Sequence, residues 1–173
     1  MSKFGEALRI SSARIEARGA ARPPIWMVCE VMSLGQLSAL YDNLSAARDR
    51  QTIADPYGFD EVVLRSFLHH LTVVRNVCAH HARLWNRRFA VTFTLPRKKP
   101  ASLLANFHTE PRLIYNTLVV LPFLLDRIEP GHHWTRGLLD LLDGQSFAVA
   151  PQMGFPPDWK VRSIWKMDGI SGA

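Results

Sequence analysis

The chain is 173 residues long, 47% hydrophobic and 21% charged, with a net charge of +6. These proportions supply the apolar side chains of one ordinary core and exclude a wholly disordered polymer. No apolar run approaches the roughly 18 residues of a membrane-spanning helix and the first residues lack the apolar segment of an export signal, so a cytoplasmic protein with no membrane partner is expected.

Residues 1–22 have weak periodicity and end at Pro23-Pro24, which reads as an amino-terminal arm, flexible or only docked. From Ile25, apolar residues Trp26, Val28, Val31, Met32, Leu34, Leu37, Leu40, Tyr41 and Leu44 recur at helical spacing, with Gly35 as the expected break. A short helix over Ser45 to Ile53 follows, closed by Asp55-Pro56-Tyr57-Gly58. Asp60 and Glu61 then suit the start of the longest helix, whose stripe Leu64, Phe67, Leu68, Leu71, Val74, Cys78, Ala82, Trp85 predicts one element to about Arg87. Both cysteines, Cys29 and Cys78, lie in apolar helical patterns and are expected to be reduced core thiols.

Phe89 to Pro100 reads as a loop with a short extended piece over Ala90 to Leu95. Thr109 is the expected cap, with Pro111 in the first turn, of an apolar helix through Tyr115, Leu118, Leu121 and Leu125 that stops at Pro130-Gly131. His132 to Leu142 makes a last amphipathic helix. The tail from Phe147 is rich in Pro, Gly and Trp, and reads as irregular with its apolar residues partly packed on the body. The fold class is thus all-α: a helical bundle around one long central helix, with a domain over 23–160 and a tail over 161–173.

Charge is unevenly spread along this chain. No acidic residue occurs between Glu61 and Glu110, a stretch that holds Arg65, Arg75, Arg83, Arg87, Arg88, Arg97, Lys98 and Lys99 and five of the seven histidines. A one-sign segment rich in guanidinium groups favours a polyanion, because neutralising phosphates releases counterions; a solvated basic face is the plain alternative. At about 100° per residue, Asn76 and His80 lie one turn apart on the long helix, with His69, Thr72, Arg83 and Arg87 on the same polar side. Arg75 instead falls beside Leu71, Cys78 and Ala82, inside the predicted apolar face, where an unpaired charge is unfavourable. His69, His70, His108, His132 and His133 read as surface or satisfied core histidines. No zinc set is expected: His80 and His81 are adjacent and diverge on a helix, and no nearby Cys or acid completes a tetrahedron.

Read whole, Leu71-Thr-Val-Val-Arg75-Asn76-Val-Cys-Ala-His80-His81-Ala-Arg83-Leu-Trp85-Asn86-Arg87 resembles the Abi-like (abortive infection) family of bacterial phage-defence proteins. That family is a branch of the HEPN superfamily, whose signature is Arg, usually a polar residue, then His after four to six positions. Pro24-Ile25-Trp26 leading to Glu30-Val31, Ser33-Leu34-Gly35, and Met153-Gly154-Phe155-Pro156-Pro157-Asp158-Trp159 extend the likeness. The resemblance implies an all-helical fold with the Arg-His helix at its centre and, in active members, metal-independent RNA cleavage between two such helices. It implies no cofactor.

RNA carries its own nucleophile, the 2′-hydroxyl, so a catalyst has only to move protons and stabilise phosphoryl charge. On that basis His80 is the expected general base or acid, Arg75 the phosphate clamp and Asn76 the residue that orients His80 or the phosphate, with His81, Arg83 and Arg87 as further RNA contacts. Arg75 and His80 lie about 140° apart on a helix, which predicts a homodimer with a composite site, seamed by Val73 and Val77. An antitoxin or RNA regulator is a conceivable further partner. The rival readings are a non-catalytic RNA-binding or antitoxin-like module using the same residues, and a structural Arg75 paired with Glu30 or Glu110.

Overall fold

The computed structural model of the chain describes residues 24–98, 100–144 and 149–166, so the predicted arm over 1–22 lies outside them. The described residues form helices α1 (Ile25–Val31), α2 (Leu34–Asp42), α3 (Ala47–Ala54), α4 (Glu61–Ala79), α5 (Ala101–Leu104), α6 (Tyr115–Ile128), α7 (Trp134–Asp143) and α8 (Val149–Gln152). Single 3-10 turns occupy Asp55–Tyr57, Trp159–Val161 and Ser163–Trp165. The fold is all-α, and no strand occurs among the described residues; the extended piece expected over Ala90 to Leu95 makes no sheet pairing. No described helix is long and apolar enough to cross a membrane.

Capping chemistry sets the first boundaries. Met32 adopts an extended ψ of 142° and ends α1. Ser33 then caps α2, its side chain accepting the Gln36 N–H at 3.3 Å while Gln36 Oε1 accepts the Ser33 N–H at 2.8 Å. The break therefore falls at Met32-Ser33 and not at Gly35. Gly35 has a different use: a Cβ there would stand 3.2 Å from Thr72 Cγ2, so the missing side chain lets α2 lie close against α4.

α4 is the centre of the molecule. Asp60 caps it by accepting the Val62 N–H at 2.9 Å, and Arg50 Nε reaches Glu61 at 2.7 Å to tie α3 to its first turn. That hydrogen bond from Arg50 is the main reason the Glu61 carboxyl titrates below its ordinary range. The buried face of α4 includes Val63, Phe67, His70, Val74 and Val77, spaced by alternating fours and threes. The predicted stripe is thus rotated: Leu64, Phe67 and Val74 are buried, but Cys78 and Ala82 are exposed. Nor are the cysteines core thiols, since Cys29 is only half-buried and Cys78 faces solvent. α4 also ends at Ala79, well short of Arg87.

α6 packs along this core and is buried continuously from Ile114 to Val120. It opens at Tyr115, not at a Thr109 cap, because side chains of its first turn hold the preceding segment back. Asn116 Oδ1 accepts the His108 N–H and its Nδ2 donates to the His108 carbonyl, both at 2.8 Å, while the Tyr115 hydroxyl donates to the Asn106 carbonyl at 3.0 Å.

The tail completes the core. Phe155 sits 4.8 Å from Tyr115 and 4.9 Å from Trp159 between ring centroids, with Trp165 closing the cluster 5.9 Å from Trp159. Gly154 makes the approach feasible: its φ is +85°, and a Cβ would lie 2.7 Å from Leu113 Cβ. Arg162 straps the cluster down, donating to the Asn106 and Phe107 carbonyls and pairing with Asp158 at 3.0 Å.

Candidate functional site

The Arg75-Asn76-His80 group sits where α4 stops. His80 caps the helix just past Ala79, with its N–H donating to the Asn76 carbonyl at 3.0 Å. His81 follows in the left-handed region at φ 52°, its N–H donating to Cys78 O at 3.0 Å, and the Ala82 N–H reaches back to Val77 O at 2.9 Å. This pair of bonds is the Schellman arrangement, which satisfies carbonyls that the helix end would otherwise leave open. Glycine is its usual left-handed residue; here a histidine takes the position, which is why no stop signal was visible in the sequence. His81, Ala82, Arg83, Trp85 and Arg87 therefore belong to a turn after the helix and not to its face.

Arg75, placed by the helical wheel inside the apolar face, is in fact exposed, and its Nη1 donates to Asn76 Oδ1 at 3.1 Å. With its carbonyl oxygen so engaged, the Asn76 amide keeps its N–H donors for another acceptor. The structural pairing considered for Arg75 is not made: Glu110 instead binds Arg88 at 3.2 Å and Glu30 is exposed. Asn76, His80, His81, Arg83 and Arg87 are likewise exposed. Arg83 lies 5.6 Å over the Trp85 ring, a cation–π contact that limits its freedom. Among the described residues, Arg65 pairs with Asp42 and Arg88 with Glu110, whereas Arg75, Arg83 and Arg87 have no carboxylate partner. The end of α4 thus carries uncompensated positive charge.

One residue missed as a contributor is His70. It is fully buried, its Nδ1 donating to the Val91 carbonyl at 2.8 Å and its Nε2 accepting the Thr117 hydroxyl at 2.7 Å. The carbonyl can only accept, so the imidazole is the neutral Nδ1–H tautomer. Burial pushes its pKa below the ordinary value, against the opposing pull of the Val91 carbonyl. His70 thereby ties the loop after the site to both α4 and α6. Phe89 assists, its N–H donating to Arg112 O at 2.8 Å. The single helical-pattern signal for this role was that His70 falls between Phe67 and Val74 on the true core face.

The seam proposed from sequence does not survive: Val77 is buried within the chain's own core and Val73 packs against it. Two cavities also lie elsewhere. One of about 880 Å³ surrounds the opposite end of α4, between Phe59, Asp60 and Val62 on one side and Leu95, Arg97 and Lys98 on the other. Among the described residues no group of three or more His, Cys, Asp or Glu side chains is placed to hold a metal ion.

Fold and site together define an all-helical protein whose central helix ends in an exposed basic cluster. Residues 9–86 match the family model described as Abi-like protein. The match takes in Pro24-Ile25-Trp26, Ser33-Leu34-Gly35 and the whole Arg75-to-His80 cluster, and it ends ahead of Arg87 and of Met153 to Trp159. The family suggests a role in abortive infection, a defence against phage. No curated protein and no solved structure matches the chain.

Proposed function

We propose that this protein is a metal-independent endoribonuclease of the HEPN type within an abortive-infection system, acting through Arg75, Asn76 and His80. The observation that carries the reading is an exposed imidazole, His80, on a turn where Arg75, Arg83 and Arg87 stand without carboxylate partners among the described residues. The carbonyl end of α4 opposes an anion, so a phosphate there must be held by side-chain cations. Those are the groups this stretch supplies.

In the proposed reaction the RNA 2′-hydroxyl attacks the adjacent phosphorus and the bond to the 5′-oxygen breaks. His80 takes the hydroxyl proton or returns one to the leaving oxygen, a role worth about 10² to 10⁴ in rate. Arg75 donates to the non-bridging oxygens, and Asn76 is a positioning residue that holds the guanidinium by the observed 3.1 Å bond. His81, Arg83 and Arg87 contact the flanking strand. Two copies meeting at the ends of α4 would make the site composite, and an antitoxin or RNA regulator would act by covering it.

Purified protein incubated with cellular RNA in excess EDTA is expected to leave 5′ fragments ending in a 2′,3′-cyclic phosphate or its opened form. His80→Ala is expected to abolish this without loss of stability, since the side chain is exposed and its removal opens no cavity. Strict dependence on added divalent ion with 3′-hydroxyl products, or an unchanged rate in His80→Ala, would overturn the mechanism. A second reading, a non-catalytic RNA-binding or antitoxin-like module, is favoured by one observation: the group lies on an open surface and not in either cavity. RNA binding that never leads to cleavage, at any protein concentration, would select it.

A further inference from the structure

α2 and α4 leave a groove of about 490 Å³ between them, walled by Gly35, Ala39 and Asp42 on one helix and by Arg65, His69 and Thr72 on the other. At about 100° per residue, Arg65, His69, Thr72 and Asn76 fall within about 60° of each other around α4, so the groove runs along the side of the helix that Asn76 ends. Its α2 wall is low, because Gly35 has no side chain and the exposed Ala39 offers only a methyl group. Its α4 wall is cationic. Arg65 meets Asp42 at 3.4 Å, but both side chains are 40% exposed or more, and so open a pair contributes little and exchanges partners readily. The His69 side chain is exposed and makes no hydrogen bond to a described residue.

We propose that this groove is a subsite for the nucleotide flanking the scissile bond, and that the substrate is therefore single-stranded RNA. The proposal rests on the ribonuclease reading of Arg75-Asn76-His80. Arg65 and His69 hold a backbone phosphate, while the attached base lies between the helices over Ala39. Along the helix axis His69 is about 10 Å and Arg65 about 16 Å from Asn76, which places the subsite a nucleotide or two from the cleaved phosphate. Two helices that touch at Gly35 and Thr72 leave no room for a duplex, whereas a splayed base of a single strand can enter.

The test introduces a carboxylate into the groove with Ala39→Glu, an exposed position on α2 where glutamate is a good helix former. Wild-type protein should cleave a short single-stranded oligoribonucleotide with a higher kcat/KM than a dinucleotide, and should leave the matching duplex intact. Ala39→Glu, and Arg65→Gln in the same direction, should lower the value for the oligonucleotide by about tenfold while the dinucleotide value stays unchanged. Equal cleavage of dinucleotide and oligonucleotide, or of duplex and single strand, would overturn the subsite. Binding of the labelled oligonucleotide in a His80→Ala background separates the two readings. If nothing is ever cleaved but Ala39→Glu and Arg65→Gln each weaken binding about tenfold, the subsite stands and the nuclease reading falls. Binding unaffected by both substitutions, or absent from all variants, removes the subsite.

Discussion

His81 holds a left-handed backbone that its Cβ disfavours by roughly 1–2 kcal/mol, and it does so at the one point where α4 must end. Replacing it separates backbone from imidazole. His81→Gly should match or slightly exceed the wild-type urea midpoint, whereas His81→Val, β-branched and poorly suited to this conformation, should lose about 1–2 kcal/mol. Equal stability of the two variants would show that the left-handed turn does not end the helix. Asn86, at φ 51°, marks the other end of the same turn, so two non-glycine left-handed residues bracket Ala82 to Trp85. Three members of the expected polar group stand elsewhere than the wheel puts them: Arg75 is exposed and not inside the apolar face, and Arg83 and Arg87 lie on the turn beyond the helix. A wheel centred on Leu71, Cys78 and Ala82 puts Arg75 inside, whereas the core face runs through Phe67, His70 and Val74.

Among the elements, helix interiors were legible and so were some ends: Asp60 caps α4 as expected. α7 was expected from His132 to Leu142 and runs Trp134–Asp143. By contrast α6 begins at Tyr115 because Asn116 and Tyr115 bond the backbone of residues 106 to 108, a tertiary effect that no local cap announces. The coupling of α4, α6 and the loop through His70 has a measurable sign. The folded protein holds this imidazole neutral and depresses its pKa below 6.5, while an unfolded chain protonates near that value. Below it the unfolded state binds the extra proton, so stability is full above about pH 6.5 and declines as pH falls through the folded-state value. Urea midpoints should drop between about pH 6.5 and 5, before Glu61 begins to titrate, and His70→Gln should flatten that limb at the expense of a lower plateau. A limb of unchanged depth in His70→Gln would assign the acid sensitivity to another group.

For the whole molecule, the all-α class followed from periodicity, and the carboxy-terminal apolar residues were correctly read as packed on the body. Within that segment Met153 to Trp159 serve packing, with Met153 O accepting the Tyr115 N–H at 3.2 Å and Phe155 and Trp159 in the core. The proposed composite site makes its own prediction. The open surface at the end of α4 offers one chain no enclosure for a phosphodiester, so specific activity should fall on dilution as dimers dissociate. A monomer at micromolar concentration that retains full specific activity would rule the shared site out.

The aromatic cluster around Tyr115 also sets an order in time. Ile164 N–H binds Asn106 Oδ1 across 58 positions of chain, and Trp165 Nε1 reaches the Tyr115 hydroxyl across 50. Such distant partners are unusual in a helical fold, where local contacts normally let folding run ahead. As the polypeptide leaves the ribosome, α4 and its basic turn emerge long before the residues that seal the core beneath α6. A nascent protein of this design presents its charged helix end on an unfinished body, and the rigid form is expected only once Trp165 has left the ribosome. Pulse proteolysis of chains truncated before Trp165, beside the full chain, would reveal the switch as an abrupt gain in resistance.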